Sequence, residues 1–199
     1  MSTCYIEAVK KRRSQYSLGK NLPLPQADVA TLIHEVVRQS PSAFNSQSSR
    51  AVILFGGHSV KFWNLVKDAL SNVVPAESFA QTSQKIDSFA AGAGTVLFFE
   101  DQDVVRGLQE RFASYADSFP IWSEQSTGIA QYAVWTALAS VDIGASLQHY
   151  NPLVDDAVQR EWNTPVSWKL RAQMPFGSNE GPVGDKTFVA NDKRFLVFG

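Results

Sequence analysis

Residues 126–141, STGIAQYAVWTALASV, offer no polar face at helical spacing. Apolar side chains and alanines point most of the way round, so a helix here cannot lie on a surface. It has to be enclosed, and its small residues let neighbours approach closely. The remainder of the chain must therefore supply walls around one central helix.

Strands are the first candidates for those walls. Residues 51–55 (AVILF), closed by Gly56-Gly57, and residues 95–99 (TVLFF) are continuous apolar runs of strand length. Such runs mark strands buried on both faces. Residues 168–174 alternate like a half-buried strand, which Pro175-Phe176-Gly177 should break. Residues 144–150 read as a strand or an extended loop. Residues 194–199 (RFLVFG) read as an apolar terminal strand. Termini fray unless tied down, so this strand must pair with its own sheet or with a partner's.

Helices complete the enclosure. Residues 5–12 form the first. Val29, Leu32, Ile33, Val36 and Val37 fall on one face of a second, which runs from Pro25 to a stop at Ser40-Pro41. Ser59 reads as the N-cap of a third, carrying Phe62, Trp63 and Val66, and Pro75 opens a fourth. Asp103 reads as the cap of a long helix with Val105, Leu108, Phe112, Tyr115 and Phe119 at near-heptad spacing, ended by Pro120. Residues 154–162 make a short helix. The fold class is α+β: four or five strands wrapped by six or more helices, in a single domain over residues 1–199. A chain of 199 residues has room for a core that needs no staples.

Charge and composition remove several function classes. A net charge of -1 argues against nucleic acid as a partner. One cysteine and three scattered histidines argue against a disulfide framework or a metal site. No apolar run approaches membrane-spanning length, and the N-terminus has no apolar signal core. These features lead us to expect a cytoplasmic protein with no membrane partner. Gly92-Ala93-Gly94 precedes a strand and lacks the third glycine of a dinucleotide turn. Glu100, Asp101 and Asp103 read as a solvated turn and a helix cap. Phe44, Trp122 and Trp135 read as core.

Two polar segments stand out from this background. Pro41-Ser42-Ala43-Phe44-Asn45-Ser46-Gln47-Ser48-Ser49-Arg50 is dense in amides and hydroxyls, which donate and accept without charge. That chemistry suits the edge of a flat heteroaromatic ring. Arg12-Arg13-Ser14 is a doubly cationic turn suited to a phosphate. With no nucleophile, dyad or metal cluster in sight, the chain looks like one whose cofactor carries the chemistry.

These segments, in this order, resemble the FMN-dependent nitroreductase family, together with Gly128-Ile129-Ala130-Gln131, Gly144-Ala145-Ser146-Leu147-Gln148-His149-Tyr150-Asn151 and Lys186-Thr187-Phe188. The similarity covers essentially the whole chain. It is greatest to a short subgroup with yeast fatty-acid-regulation and bacterial copper-inducible members. The resemblance implies a mainly antiparallel sheet and a homodimer in which the C-terminal strand crosses to the partner. It implies bound FMN, NADH or NADPH as co-substrate, and a small-molecule electron acceptor such as a nitroaromatic or quinone, with no catalytic side chain of the protein's own. Arg12, Arg13 and Ser14 would hold the phosphate and ribityl chain, with Tyr16 at a position often cationic in the family. Pro41, Ser42, Ala43, Asn45 and Gln47 would reach the ring from the other subunit. Leu147, Gln148, His149 and Tyr150 would flank it, with a backbone N–H near position 149 at the flavin N5. The family often has an acidic residue and glycine where this chain has His149-Tyr150, and Lys-x-Arg where it has Lys186-Thr187-Phe188. Lys186 would be one phosphate cation, and Arg194 or Lys193 the second. The same resemblance admits a flavin-binding sensor with little turnover, or a scaffold that has lost its cofactor.

Overall fold

The computed structural model describes residues 4–199. In chain order the elements are α1 (Cys4–Lys11), β1 (Leu18–Gly19), α2 (Gln26–Gln39), β2 (Ser49–Phe55), α3 (Gly57–Ser71), α4 (Ala76–Ala90), β3 (Gly94–Asp101), α5 (Gln102–Arg111), α6 (Phe119–Ser140), β4 (Gly144–Ala145), α7 (Asp155–Trp162) and β5 (Trp168–Asn179). The strands form one sheet ordered β1-β5-β3-β2, with β4 also pairing β5. All strand pairs are antiparallel. The expected α+β class and antiparallel sheet are what the chain forms.

Strand β3 lies between β5 and β2 and is buried on both faces. Its alternation builds two cores. Val96 and Phe98 join Val29 and Ile33 of α2 and Val134 and Leu138 of α6. Leu97 and Phe99 join Phe62, Trp63 and Val66 of α3, Ile86 and Phe89 of α4, and Val158 of α7. The sheet is thus sandwiched between two helical layers. Each large apolar side chain enclosed this way contributes about 1.5–3 kcal/mol. Helix α6 is the enclosed helix of the sequence, yet Ile121, Ile129 and Tyr132 on it remain exposed. Strand β2 lies at the end of the strand order and is mostly half-buried rather than enclosed on both faces.

Several local expectations give way to tertiary context. Strand β5 runs through Pro175-Phe176-Gly177 without a break and is mostly buried rather than half-buried. The Pro175 carbonyl accepts from the Ser146 N–H. A residue's N–H and C=O point the same way in a strand, so the missing donor faces β4 and the β3 ladder loses nothing. Pro120 begins a helix instead of ending one: α5 stops at Arg111, a 3-10 turn spans Ala113–Tyr115, and Pro120 sits in the first turn of α6. Proline fits there because first-turn N–H groups lack partners in any case. The expected near-heptad seam is therefore two helices and a turn, and Phe112, Tyr115 and Phe119 gather into an aromatic cluster. Asp101, not Asp103, caps α5, its carboxylate accepting from the Asp103 N–H at 3.2 Å. Gly56 rather than Ser59 precedes α3, and the buried Ser59 hydroxyl bonds Thr95 at 2.7 Å. Residues 194–199 pair with no strand among the described residues, and Leu196, Val197 and Phe198 are 80%, 92% and 89% exposed.

Candidate functional site

The cationic turn leaves α1 and joins the sheet. Ser14 makes a parallel bridge with Ala145 of β4, and the Gln15 N–H donates to the Ala145 carbonyl at 2.9 Å. The Arg12 guanidinium lies 4.4 Å from the centre of the Trp135 ring, whose indole N–H donates to the same Ala145 carbonyl. That is a cation–π contact, and it fixes the side chain without neutralising its charge. Arg13 donates to the Gly184 carbonyl and lines a cavity of about 300 Å³ with Lys11, Gln15 and Trp135. Tyr16 is exposed beyond the bridge.

Past β4 the chain stays on the same edge of β5. Gln148 forms an antiparallel bridge with Gln173, and its side-chain amide donates to the Ser146 hydroxyl at 3.1 Å. Leu147 is packed against the α2–α6 core. His149 is exposed, while Tyr150 is half-buried with its ring edge-on to Trp63. Burial raises the Tyr150 phenol above its ordinary value, so it is neutral at physiological pH. Residues 145 and 148 lie three positions apart, about 10 Å in extended chain. The structure thus brings the cationic turn and residues 147–150 together along one sheet edge.

The amide-rich loop lies elsewhere in the chain. Phe44, Asn45 and Gln47 all adopt the left-handed region, with φ of 56°, 50° and 49°. For a bulky residue this costs roughly 1–2 kcal/mol. Phe44 is held by Phe112, Phe119 and Trp122, with ring centres at 5.0, 5.3 and 6.0 Å. The loop also closes on itself: the Asn45 N–H reaches the Ser42 carbonyl at 3.0 Å and the Gln47 N–H reaches the Ser42 hydroxyl at 2.9 Å. Its far end is anchored by Glu100, which is wholly buried and accepts from Ser48 at 2.6 Å, Ser123 at 2.7 Å and Ser49. Glu100 is therefore no part of a solvated turn. Its burial would have been legible only from the pairing of β3 with the Ser48-Ser49 end of the loop.

Pro41, Ser42, Ala43 and Phe44 line a mostly apolar cavity of about 440 Å³ with Trp122 and Ile129. Phe44 and Trp122 are cavity walls, not core. This cavity shares no lining residue with the one beside Arg13. Lys186 and Arg194 lie on the exposed C-terminal segment, each against the ring of its own neighbour, Phe188 or Phe195. The chain brings Arg12, Arg13, Ser14, Gln148, His149 and Tyr150 to one edge, and it keeps Asn45 and Gln47 in a separate loop.

A further cavity of about 470 Å³ lies among the starts of α5, α7 and β5. There Asp155 has one carboxylate oxygen buried without a partner. Burial raises its pKa, Asp156 raises it further, and Lys169 opposes both. A raised pKa means that folding favours the protonated acid. The stability it contributes is complete below the ordinary value of 3.8 and is lost as pH rises through the folded value. Above the folded value the ionised Asp155 weakens the fold. Asp155→Asn is expected to raise the melting temperature at neutral pH, and the gain should vanish on acidification below about pH 4. Thermal melts across that range check it; a variant less stable at neutral pH would show that the α7 N-terminus outweighs burial.

Residues 9–178 match the Nitroreductase family. Two Saccharomyces cerevisiae proteins, HBN1 and the nitroreductase FRM2, are 35% and 34% identical over 190 residues, 94% of this chain and of each relative. The nitroreductase CinD from Lactococcus lactis, solved in complex with chloramphenicol, is 50% identical over 98% of this chain and 100% of its own, with a TM-score of 0.91. A nitroreductase with bound FMN from Desulfitobacterium hafniense shares the fold at a TM-score of 0.73 and 13% identity.

Proposed function

The chain belongs to the nitroreductase family, and from that premise we propose that it is an FMN-dependent NAD(P)H oxidoreductase acting on nitroaromatics, quinones or similar acceptors. The observation that carries the reading is the sheet edge on which Ser14 bridges Ala145 and Gln148 bridges Gln173. It carries a dicationic turn and a polar backbone segment along the same edge, which supports a reading with a phosphate at the first and a ring at the second. The donor set fits FMN: two guanidiniums and a hydroxyl for the phosphate, and amides for the ring's alternating donors and acceptors. CinD, half identical in sequence, was solved with a nitroaromatic ligand, which supports the acceptor class.

In this reading Arg12, Arg13 and Ser14 bind the phosphate, and residues 147–150 flank the ring. FMN, when bound, accepts hydride from a nicotinamide and delivers it to the acceptor. The protein's own groups orient the ring and the incoming molecules, exclude water, and supply hydrogen-bond donors to the ring edge. Pro41, Ser42, Ala43, Asn45 and Gln47 reach the ring from a second subunit. Three observations support that arrangement: the loop lies apart from the cationic turn, α6 exposes Ile129 and Tyr132, and the C-terminal segment exposes Phe195, Leu196, Val197 and Phe198. Exposed apolar side chains grouped this way support an interface that would cover them. The terminal segment would cross to the partner's sheet and carry Lys186 and Arg194 with it. Donor and acceptor use one pocket in turn, so initial-rate lines at varied nicotinamide and nitroarene are expected to be parallel. Intersecting lines would remove the shared pocket.

A further inference from the structure

We infer that Gln173 is a positioning residue for this site, its backbone holding Gln148 and its side chain holding Tyr150 and Asn151, so that the His149 N–H between them faces the ring edge. The inference rests on the flavin reading above. Gln173 sits in mid β5 and is wholly buried. Its backbone exchanges two hydrogen bonds with Gln148, at 2.7 and 2.9 Å. Its side chain turns to the same segment: Oε1 accepts the Tyr150 N–H at 2.7 Å, and Nε2 donates to the Asn151 Oδ1 at 3.2 Å.

The chemistry of the amide explains why an apolar residue would not serve. A buried amide is costly unless bonded, and here both ends are spent on one short stretch of chain. The donor at Tyr150 dictates which end of the amide faces it. Backbone direction does the rest. Successive residues of an extended chain point to opposite sides. With the N–H groups of Gln148 and Tyr150 both held toward β5, that of His149 is turned away from β5, to the open edge. The β-bridge alone would fix Gln148; the Gln173 side chain extends the constraint across His149 to Tyr150 and Asn151. A donor placed this way is fixed before any ligand arrives, which is what a group aimed at a reacting atom requires.

Two variants test this. Gln173→Met keeps the volume and removes both side-chain hydrogen bonds. Gln173→Glu is the conservative change: while protonated, its carbonyl can accept from Tyr150 and its hydroxyl can donate to Asn151. Two measurements apply to each, alongside wild type: amide hydrogen exchange at residues 148–151 in the flavin-free protein, and the rate of flavin bleaching by NADH or NADPH. Gln173→Met is expected to exchange faster at Tyr150, to keep its FMN, and to bleach about tenfold more slowly with little change in nicotinamide KM, the loss of one well-placed hydrogen bond. Gln173→Glu should approach wild type in both measurements at acid pH and depart from it as the carboxyl ionises. Wild-type exchange and bleaching in Gln173→Met would overturn the inference while leaving the flavin reading intact. If Gln173→Met fails to fold, Gln173→Glu decides: no acid rescue of exchange at Tyr150 overturns it equally. A wild-type protein that takes up no flavin sinks the reading and the inference together.

Discussion

Deletion of residues 194–199 is expected to leave a folded but colourless monomer. The removed segment contributes nothing to either core: Phe195, Leu196, Val197 and Phe198 are 59%, 80%, 92% and 89% exposed in the single chain. Both helical layers and the sheet lie upstream of it. Its apolar side chains are worth about 1.5–3 kcal/mol each once buried. Even after the ordering cost of binding, losing four from each subunit should weaken a dimer at least about a thousandfold, roughly 4 kcal/mol. The deletion also removes Arg194 and, in the proposed dimer, would remove the loop that reaches the ring from the partner. Sedimentation velocity and flavin content per chain check both effects. A truncated dimer that stays yellow would refute the strand exchange.

The second large effect concerns Arg12 and Asn45. Arg12→Ala removes a cation poised by Trp135 at the turn that bridges β4. Asn45→Ala removes an amide from the loop that Phe44 and Glu100 hold in place. A charge-assisted hydrogen bond contributes about 1.5–3 kcal/mol and a neutral one about 1. The double variant should therefore bind FMN roughly a hundredfold to a thousandfold more weakly, by fluorescence titration. The single variants hold more information when mixed. If Arg12 and Asn45 of different subunits meet at one site, a dimer of one Arg12→Ala and one Asn45→Ala chain has one doubly damaged site and one intact site. Mixing the two proteins should then restore tight binding at one site per mixed dimer. If both residues acted within one chain, every site would carry one lesion and mixing would restore nothing.

Much of the fold was legible from local pattern, for reasons visible in particular elements. Residues 95–99 could only be a buried strand, and β3 is buried on both faces. Val29 and Ile33 marked the inward stripe of α2, and both are enclosed. The misreadings share one cause: partners distant in sequence changed what a local signal meant. Pro175 looked like a strand breaker because its missing donor could not be assigned to the β4 side without the sheet. Pro120 fits a helix start as well as a stop, and only the packing of Phe112, Tyr115 and Phe119 around Phe44 decides between them. Glu100 follows an apolar run and precedes two acids, so its neighbours in sequence point to solvent; three serines from two other segments enclose it instead. Of the candidate site, the cationic turn and the amide-rich loop were visible as compositions. Gln173 was not, since a single amide in an alternating strand carries no signal until its partners at residues 148–151 are placed.

The central claim is that this chain holds a flavin that exchanges hydride with a nicotinamide and a small acceptor. Anaerobic stopped-flow mixing of the purified protein with NADH and with NADPH, followed by a nitroarene, tests it most directly. Rapid bleaching of the flavin absorbance by at least one nucleotide and rapid recovery on adding the nitroarene are the expected result. A flavin that neither nucleotide bleaches would make the protein a binder or sensor, and a protein that stays colourless in excess FMN would contradict the account altogether.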